Sequence, residues 1–169
     1  MKKVVLLFAV AALAIGANAQ KAAKIGGLRF GIGARVALPM GKMGDAYNIG
    51  IGGEAQGEFM FSKASVVGSV GYTTFSGKEQ TIGTIKYTAP AANYIPVLVG
   101  ARYYIVPQFF VGAKVGYAVS GNSGGTGAFN YEPQVGFNTS HFQASVGYNS
   151  MSVAGGSWSS LGASLIYKF

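Results

Sequence analysis

The last nine residues constrain the fold more than any other stretch. Leu161, Ala163, Leu165, Tyr167 and Phe169 share one parity; Gly162, Ser164 and Lys168 share the other, with Ile166 the single apolar exception. A period of two describes a strand with one apolar and one polar face. The run finishes on an aromatic residue, and no later segment is there to bury its apolar side. The expectation is a strand whose apolar face meets lipid and whose edge closes against the first strand of the chain.

The same alternation recurs, giving eight segments in all. Residues 28–38 set Leu28, Phe30, Ile32, Ala34, Val36 and Leu38 against Arg29 and Arg35. Residues 49–61 follow, and a third segment starts near residue 64. The remaining five cover 94–106, 109–119, 129–139, 141–150 and the terminal stretch. Connections alternate in length. Residues 39–48, 76–93, 120–128 and 151–159 form long loops, whereas 62–63, 107–108 and the neighbourhood of Ser140 are tight turns. Aromatic residues on the apolar parity gather at strand ends. Phe30, Phe59, Phe61, Tyr103, Phe109, Phe137, Phe142, Tyr167 and Phe169 lie near the short turns; Tyr72, Tyr117, Phe129, Tyr131 and Tyr148 lie near the long loops. Two girdles and alternating loop lengths mark a membrane barrel, and strands of about 11 residues suit an oblique bilayer crossing. A soluble sandwich or lipocalin-like barrel spreads its aromatics through a core. The predicted fold is therefore all-β: an eight-stranded antiparallel up-and-down transmembrane β-barrel, monomeric, with the short turns and both termini in the periplasm.

Composition agrees. The chain is 50% hydrophobic and 11% charged, with 27 Gly and no Cys. So much glycine disfavours a helical bundle. Residues 1–19 read as a cleaved secretory signal: Lys2 and Lys3, an apolar run over 4–15, and the small-x-small pattern Ala17-Asn18-Ala19. Residues 20–169 are then the barrel domain. No later segment is apolar and long enough for a membrane-spanning helix, so the expected location is the outer membrane. Net charge is +8, of which Lys2 and Lys3 supply two. The other basic residues are scattered singly, which excludes a nucleic-acid surface.

Three stretches carry a family resemblance. They are Phe110-Val111-Gly112-Ala113-Lys114-Val115-Gly116-Tyr117, the strand from Ile95-Pro96-Val97 to Arg102-Tyr103-Tyr104, and the final Leu165-Ile166-Tyr167-Lys168-Phe169. They resemble the small outer-membrane β-barrels of Gram-negative bacteria, nearest to the porin-family barrels of Bacteroidota and more distantly to OmpX and the OmpA barrel. The resemblance implies that Leu165, Tyr167 and Phe169 form the signal read by the barrel-assembly machinery.

The polar parity points inward and holds Arg29, Arg35, Glu54, Gln56, Glu58, Arg102, Tyr104, Lys114, Glu132, Gln134 and Lys168. An eight-stranded barrel is just wide enough for such side chains to fill it, and buried charges persist only when paired. A lumen charge network of Arg29, Arg35, Glu54, Glu58, Arg102, Lys114 and Glu132 is expected. If Leu38 pairs with Ile49, Arg29 stands opposite Glu58; Glu132 lies diagonal to Lys114. Five inward cations against three carboxylates give any leak an anion preference. The alternative function, a narrow porin-like path for small solutes, draws on inward glycines such as Gly31, Gly33, Gly50, Gly52, Gly112, Gly116, Gly136, Gly147 and Gly162.

No enzyme, metal or cofactor is expected. His141, the single histidine, sits at a turn beside Ser140 with no carboxylate near in sequence. Gly121-Asn122-Ser123-Gly124-Gly125 lacks the following Lys and the strand-to-helix context of a phosphate loop. The connection bounded by Ser76 and Asn93 reads as a hairpin extending above the membrane, able to pair a strand edge with an extracellular protein. Lys42, Lys78 and Lys86 can meet lipopolysaccharide phosphates, with Asp45 and Glu79 diluting the charge. Trp158 is expected to anchor at the membrane interface. The reading is a structural or surface-interaction barrel in contact with outer-membrane lipid and lipopolysaccharide.

Overall fold

The computed structural model describes residues 27–82, 85–122, 127–153 and 155–169. The expected leader, residues 1–19, and the core of the Gly-rich loop, residues 123–126, lie outside the described residues. The elements are β1 (Leu28–Met40), α1 (Gly41–Ala46), β2 (Tyr47–Met60), β3 (Ala64–Gly77), β4 (Glu79–Ile82), β5 (Ile85–Thr88), β6 (Ala92–Val106), β7 (Phe109–Ser120), β8 (Ala128–Asn138), β9 (Phe142–Val153) and β10 (Gly156–Lys168).

Eight strands close into a barrel in the order β1-β10-β9-β8-β7-β6-β3-β2, every pairing antiparallel. Closure is made by β1 against β10, from Gly31↔Lys168 to Met40↔Ser159. The terminal strand thus joins the first, as its alternation requires. Along each strand one parity is exposed and the other buried. On β7, Val111, Val115 and Tyr117 face out, while Phe110 and Lys114 are buried. The exposed wall is almost wholly apolar, the reverse of a soluble barrel, whose apolar parity turns inward.

The girdles form real contacts. At the short-turn end Phe59 packs on Phe61 with ring centroids 5.1 Å apart, Phe109 on Phe137 at 4.9 Å, and Phe142 on Tyr167 at 5.3 Å. At the other end Tyr117 meets Phe129 at 6.2 Å.

The long connections are more structured than the sequence led us to expect. The segment after β1 turns through Gly41 at φ 54°, a left-handed value that favours glycine, into the single-turn helix α1. Residues 76–93 carry the expected hairpin: β4 and β5 form their own two-stranded sheet. Lys78 Nζ reaches Gly44 O and Gln80 Nε2 reaches Asp45 O, fastening the hairpin's first strand to α1. Residues 151–159 are largely strand rather than loop. β9 and β10 extend to Val153 and Gly156, with Trp158 opposite Met151. Burial explains the difference, because both residues turn inward to cover the barrel mouth.

Candidate functional site

The inward parity builds the candidate site, a column of side chains along the barrel axis. Four layers can be followed from the short-turn end.

The first gathers Glu58, Arg102, Tyr104 and Lys168. Glu58 Oε1 accepts from Ser65 Oγ at 2.5 Å and from Tyr104 OH at 2.7 Å, while its Oε2 lies 3.2 Å from Arg102 Nη1. Met60, Tyr104 and Phe110 form an apolar cluster here, and the Arg102 guanidinium stands 4.7 Å over the Phe110 ring. Lys168 donates to Asn138 Oδ1 and to Thr139 O, 2.5 Å away.

The second is neutral apart from the shared Arg102. Its Nη1 donates to Gln143 Oε1 and its Nη2 to Gln56 Oε1, each at 3.0 Å, and Gln56 Nε2 donates to Gln143 Oε1 at 3.0 Å.

The third is a four-membered ion cluster drawn from β1, β2, β7 and β8. Lys114 Nζ lies 2.7 Å from Glu54 Oε1 and 3.1 Å from Glu132 Oε1. Arg35 Nη1 lies 3.5 Å from Glu54 Oε2, and its Nη2 pairs with Glu132 Oε2. Two cations and two carboxylates alternate around one ring, so the cluster is neutral. Asn149 Nδ2 donates to Glu132 Oε2 at 3.1 Å and Ser164 Oγ to Glu54 Oε2 at 3.4 Å, the same oxygens that face Arg35. Such completeness matters, because a buried ion that loses its partners is strongly destabilising.

The fourth is apolar. Ala37, Met43 of α1, Phe75 and Ala92 form one buried cluster, and Ala118, Ala128 and Met151 another. Half-buried Tyr94 and Trp158 bridge them and Tyr47 packs on the first, with Trp158 5.6 Å from Tyr47 and 6.0 Å from Tyr94 between ring centroids. Between this lid and the ion cluster lies a chamber of about 20 Å³ bordered by Arg35, Thr73, Asn130, Asn149 and Ser160. That is about the room one water needs. Asn130 Oδ1 is buried without a partner among the described residues.

Several expectations change. Arg29 does stand opposite Glu58, but Glu58 turns to Arg102, and Arg29 Nη1 is buried without a hydrogen-bond partner among the described residues. Arg102 is long enough to reach across the lumen, and Ser65 and Tyr104 hold the carboxylate towards it. Glu132 is directly opposite Lys114 rather than diagonal to it. Trp158 faces the lumen mouth instead of anchoring at the interface, because it shares parity with Ser160 and Lys168. The inward glycines seat neighbouring side chains. A Cβ on Gly162 would lie 2.6 Å from Arg35 Nη2, one on Gly136 2.4 Å from the Phe110 ring, and one on Gly50 2.5 Å from the Phe75 ring. Gln143 and Asn138, absent from the expected network, are full members of it; their polar parity on β9 and β8 was the available signal. His141 is exposed, with Ser140 Oγ 3.0 Å from its Nδ1 and its ring stacked on Tyr167. Gln134 is buried with Nε2 unpartnered among the described residues. Leu165, Tyr167 and Phe169 lie together on the outer face of the closing strand.

The wall and its axial column define a class: a small outer-membrane-type β-barrel with eight strands. Solved structures of that class are similar to this chain. Ail, the attachment invasion locus protein of Yersinia pestis, aligns with a TM-score of 0.59 and 14% identity, covering 86% of this chain and all of that one. A structure reported under the de novo design of transmembrane β-barrels aligns with a TM-score of 0.53 and 16% identity, covering 88% of this chain and all of that one. The N-terminal β-barrel domain of Pseudomonas aeruginosa OprF gives 0.50 and 14%, covering 83% and 97%. No family model and no curated protein sequence matches the chain. At these identities the likeness speaks for the fold alone.

Proposed function

We propose that the chain is an integral outer-membrane barrel with a side-chain-filled lumen, serving a structural and surface-interaction role through its long-loop end. On this reading the short turns and the described termini face the periplasm and no reaction is catalysed. The observation that carries it is the Arg35–Glu54–Lys114–Glu132 cluster, which spans the barrel from four strands. Charges so fully paired serve packing better than passage, since a permeating ion has to displace a partner that nothing else replaces. Residues 1–19 act as the export signal. Leu165, Tyr167 and Phe169 act as the assembly signal, a role supported by their shared outward face. The finer kinship we propose, with the porin-family barrels of Bacteroidota, rests on the strand sequences alone. Lipid and lipopolysaccharide surround the wall, and the β4–β5 hairpin offers its edge to an extracellular protein.

Single-channel recording in a planar bilayer tests this reading. The protein is expected to be silent while its heat-dependent gel mobility reports a folded barrel. An Arg35→Ala, Arg102→Ala variant, with layers one to three opened, is expected to leak. Discrete steps from the unaltered protein would move the assignment to a narrow pore, with an anion preference expected from its inward cations.

A further inference from the structure

Besides the register shifts near the strand ends at Tyr47/Gly50 and Tyr104/Val106, two pairings in the wall are interrupted in mid-strand without a change of register, each at a proline. β8 pairs with β9 as far as Tyr131↔Ser150 and resumes at Gln134↔Gly147, so Glu132 and Pro133 face Asn149 and Tyr148 without ladder partners. β3 and β6 are interrupted likewise between Val70↔Val97 and Thr73↔Tyr94, where Pro96 faces Gly71. Proline has no N–H to give a ladder. The direction of the loss can be read from neighbouring contacts. Ala113 turns its carbonyl to β6, where a Cβ on Gly100 would lie 2.0 Å from it. Pro133, opposite Ala113, therefore turns its own backbone groups to β9. The Tyr148 carbonyl across the seam is left without a ladder donor. On the lipid-facing wall a donor for it comes either from the lipid seated there or from a water at the same depth.

The two seams differ in what lies over them. At Pro96 the ring turns inward, and a Cβ on Gly71 would lie 3.4 Å from its Cγ, so the ring itself covers the gap from inside. At Pro133 the ring is exposed on the wall. A shallow groove of about 400 Å³ runs over the seam, lined by Val111, Pro133, Val135, Val146, Tyr148 and Leu161. Tyr131 and Tyr148 belong to the long-loop aromatic girdle, the level at which a lipid's polar junction sits.

We infer that the β8–β9 seam is a binding site for one outer-leaflet lipid bearing a hydrogen-bond donor at the head of its acyl chain, a hydroxyacyl or amide-linked lipid. The chain lies in the groove, and the hydroxyl or amide N–H donates to the Tyr148 carbonyl. A plain diester phospholipid brings only acceptors to that depth and leaves the carbonyl unmatched. This inference rests on the outer-membrane reading above.

The test uses the protein refolded into phosphatidylcholine nanodiscs. These are doped equally with a phospholipid carrying a 3-hydroxyacyl chain and its non-hydroxylated twin. Native mass spectrometry of the released protein reads the retained lipid, and isotope-edited infrared spectroscopy reads a ¹³C-labelled Tyr148 carbonyl. One net hydrogen bond corresponds to a preference of about fivefold for the hydroxylated lipid, and the carbonyl band should shift to lower frequency only when that lipid is present. Pro133→Val restores an N–H to the seam and should abolish both effects, whereas Pro96→Val should keep both. A folded, inserted barrel that retains the twins equally would overturn the lipid site alone, a lumenal water then satisfying the carbonyl. Preference surviving in Pro133→Val would overturn it too. Failure of the protein to enter the bilayer at all would instead overturn the barrel reading beneath it.

Discussion

The two halves of the lumen are built on opposite principles. Towards the short turns the column is ionic: Glu58, Arg102, Lys168, then the Arg35–Glu54–Lys114–Glu132 ring, with every carboxylate paired while Arg29 Nη1, Arg102 Nε and Gln134 Nε2 have no partner among the described residues. Towards the long loops it is apolar and aromatic: Met43, Phe75 and Met151 with half-buried Tyr47, Tyr94 and Trp158. The ionic half is held by eight strands whose register cannot slip without turning every side chain through the wall. The apolar half hangs partly on α1 and the segments beside it. The regular part of the wall can support close charge pairing, while the irregular end is closed by apolar surfaces that tolerate small displacements.

The largest effect expected from this contrast comes from the ionic half. Lys114→Met leaves Glu54 and Glu132 sharing the Arg35 guanidinium. Removing one partner of a buried ion network costs about 3–5 kcal/mol, so the urea midpoint for unfolding from lipid vesicles should fall accordingly. An unchanged midpoint would show that water enters the third layer and solvates the carboxylates. In the apolar half, Met43→Ala removes a fully buried side chain from the lid. The expected loss is about 2 kcal/mol, the low end for truncating a buried Met, because α1 can settle into the space. A loss equal to that of Lys114→Met would erase the distinction between the halves.

Gly162→Ala probes the boundary between them. The new methyl would press on the Arg35 Nη2 end, 2.6 Å from its ideal position. A guanidinium tip can swing aside, so the cost should stay near 1 kcal/mol, the low end for overpacking. Thermal shift in vesicles measures it. In the Arg35→Ala background the same substitution should cost nothing, and a persistent cost there would place the clash on the backbone.

These differences also mark what the amino-acid sequence could reveal. Strand identity and facing were legible because period-two alternation is local: Leu165 and Tyr167 out, Ser164 and Lys168 in. Even the first hairpin's register was legible, since Leu38 and Ile49 bracket its loop. What escaped was everything decided across the lumen. Arg29 sits opposite Glu58 in the ladder, yet Arg102 takes that carboxylate because it reaches over the Phe110 ring from β6. Nothing in the spacing of Gln56, Arg102 and Gln143 announces that three strands bring them to one point. Trp158 was misplaced for a related reason. A Gly- and Ser-rich stretch reads as loop, but inward burial against Tyr47 and Tyr94 extends the strand through it.

The smallest effect belongs to the hairpin beyond the mouth. Lys86 Nζ lies 2.8 Å from Glu79 Oε1 on β4–β5, with the two side chains 72% and 55% exposed. An ion pair so open to water contributes roughly 0–1 kcal/mol, and the hairpin's ties to α1 run through Lys78 and Gln80 instead. Lys86→Ala should leave the barrel's unfolding midpoint unmoved, whether or not α1 has been loosened by Met43→Ala. Lys78→Ala removes the contact to Gly44 and should speed protease cleavage within residues 79–88 while sparing the wall. If Lys86→Ala instead lowered the midpoint as far as Met43→Ala does, the hairpin would have to count as part of the lid, and the apolar half would extend beyond the barrel's rim.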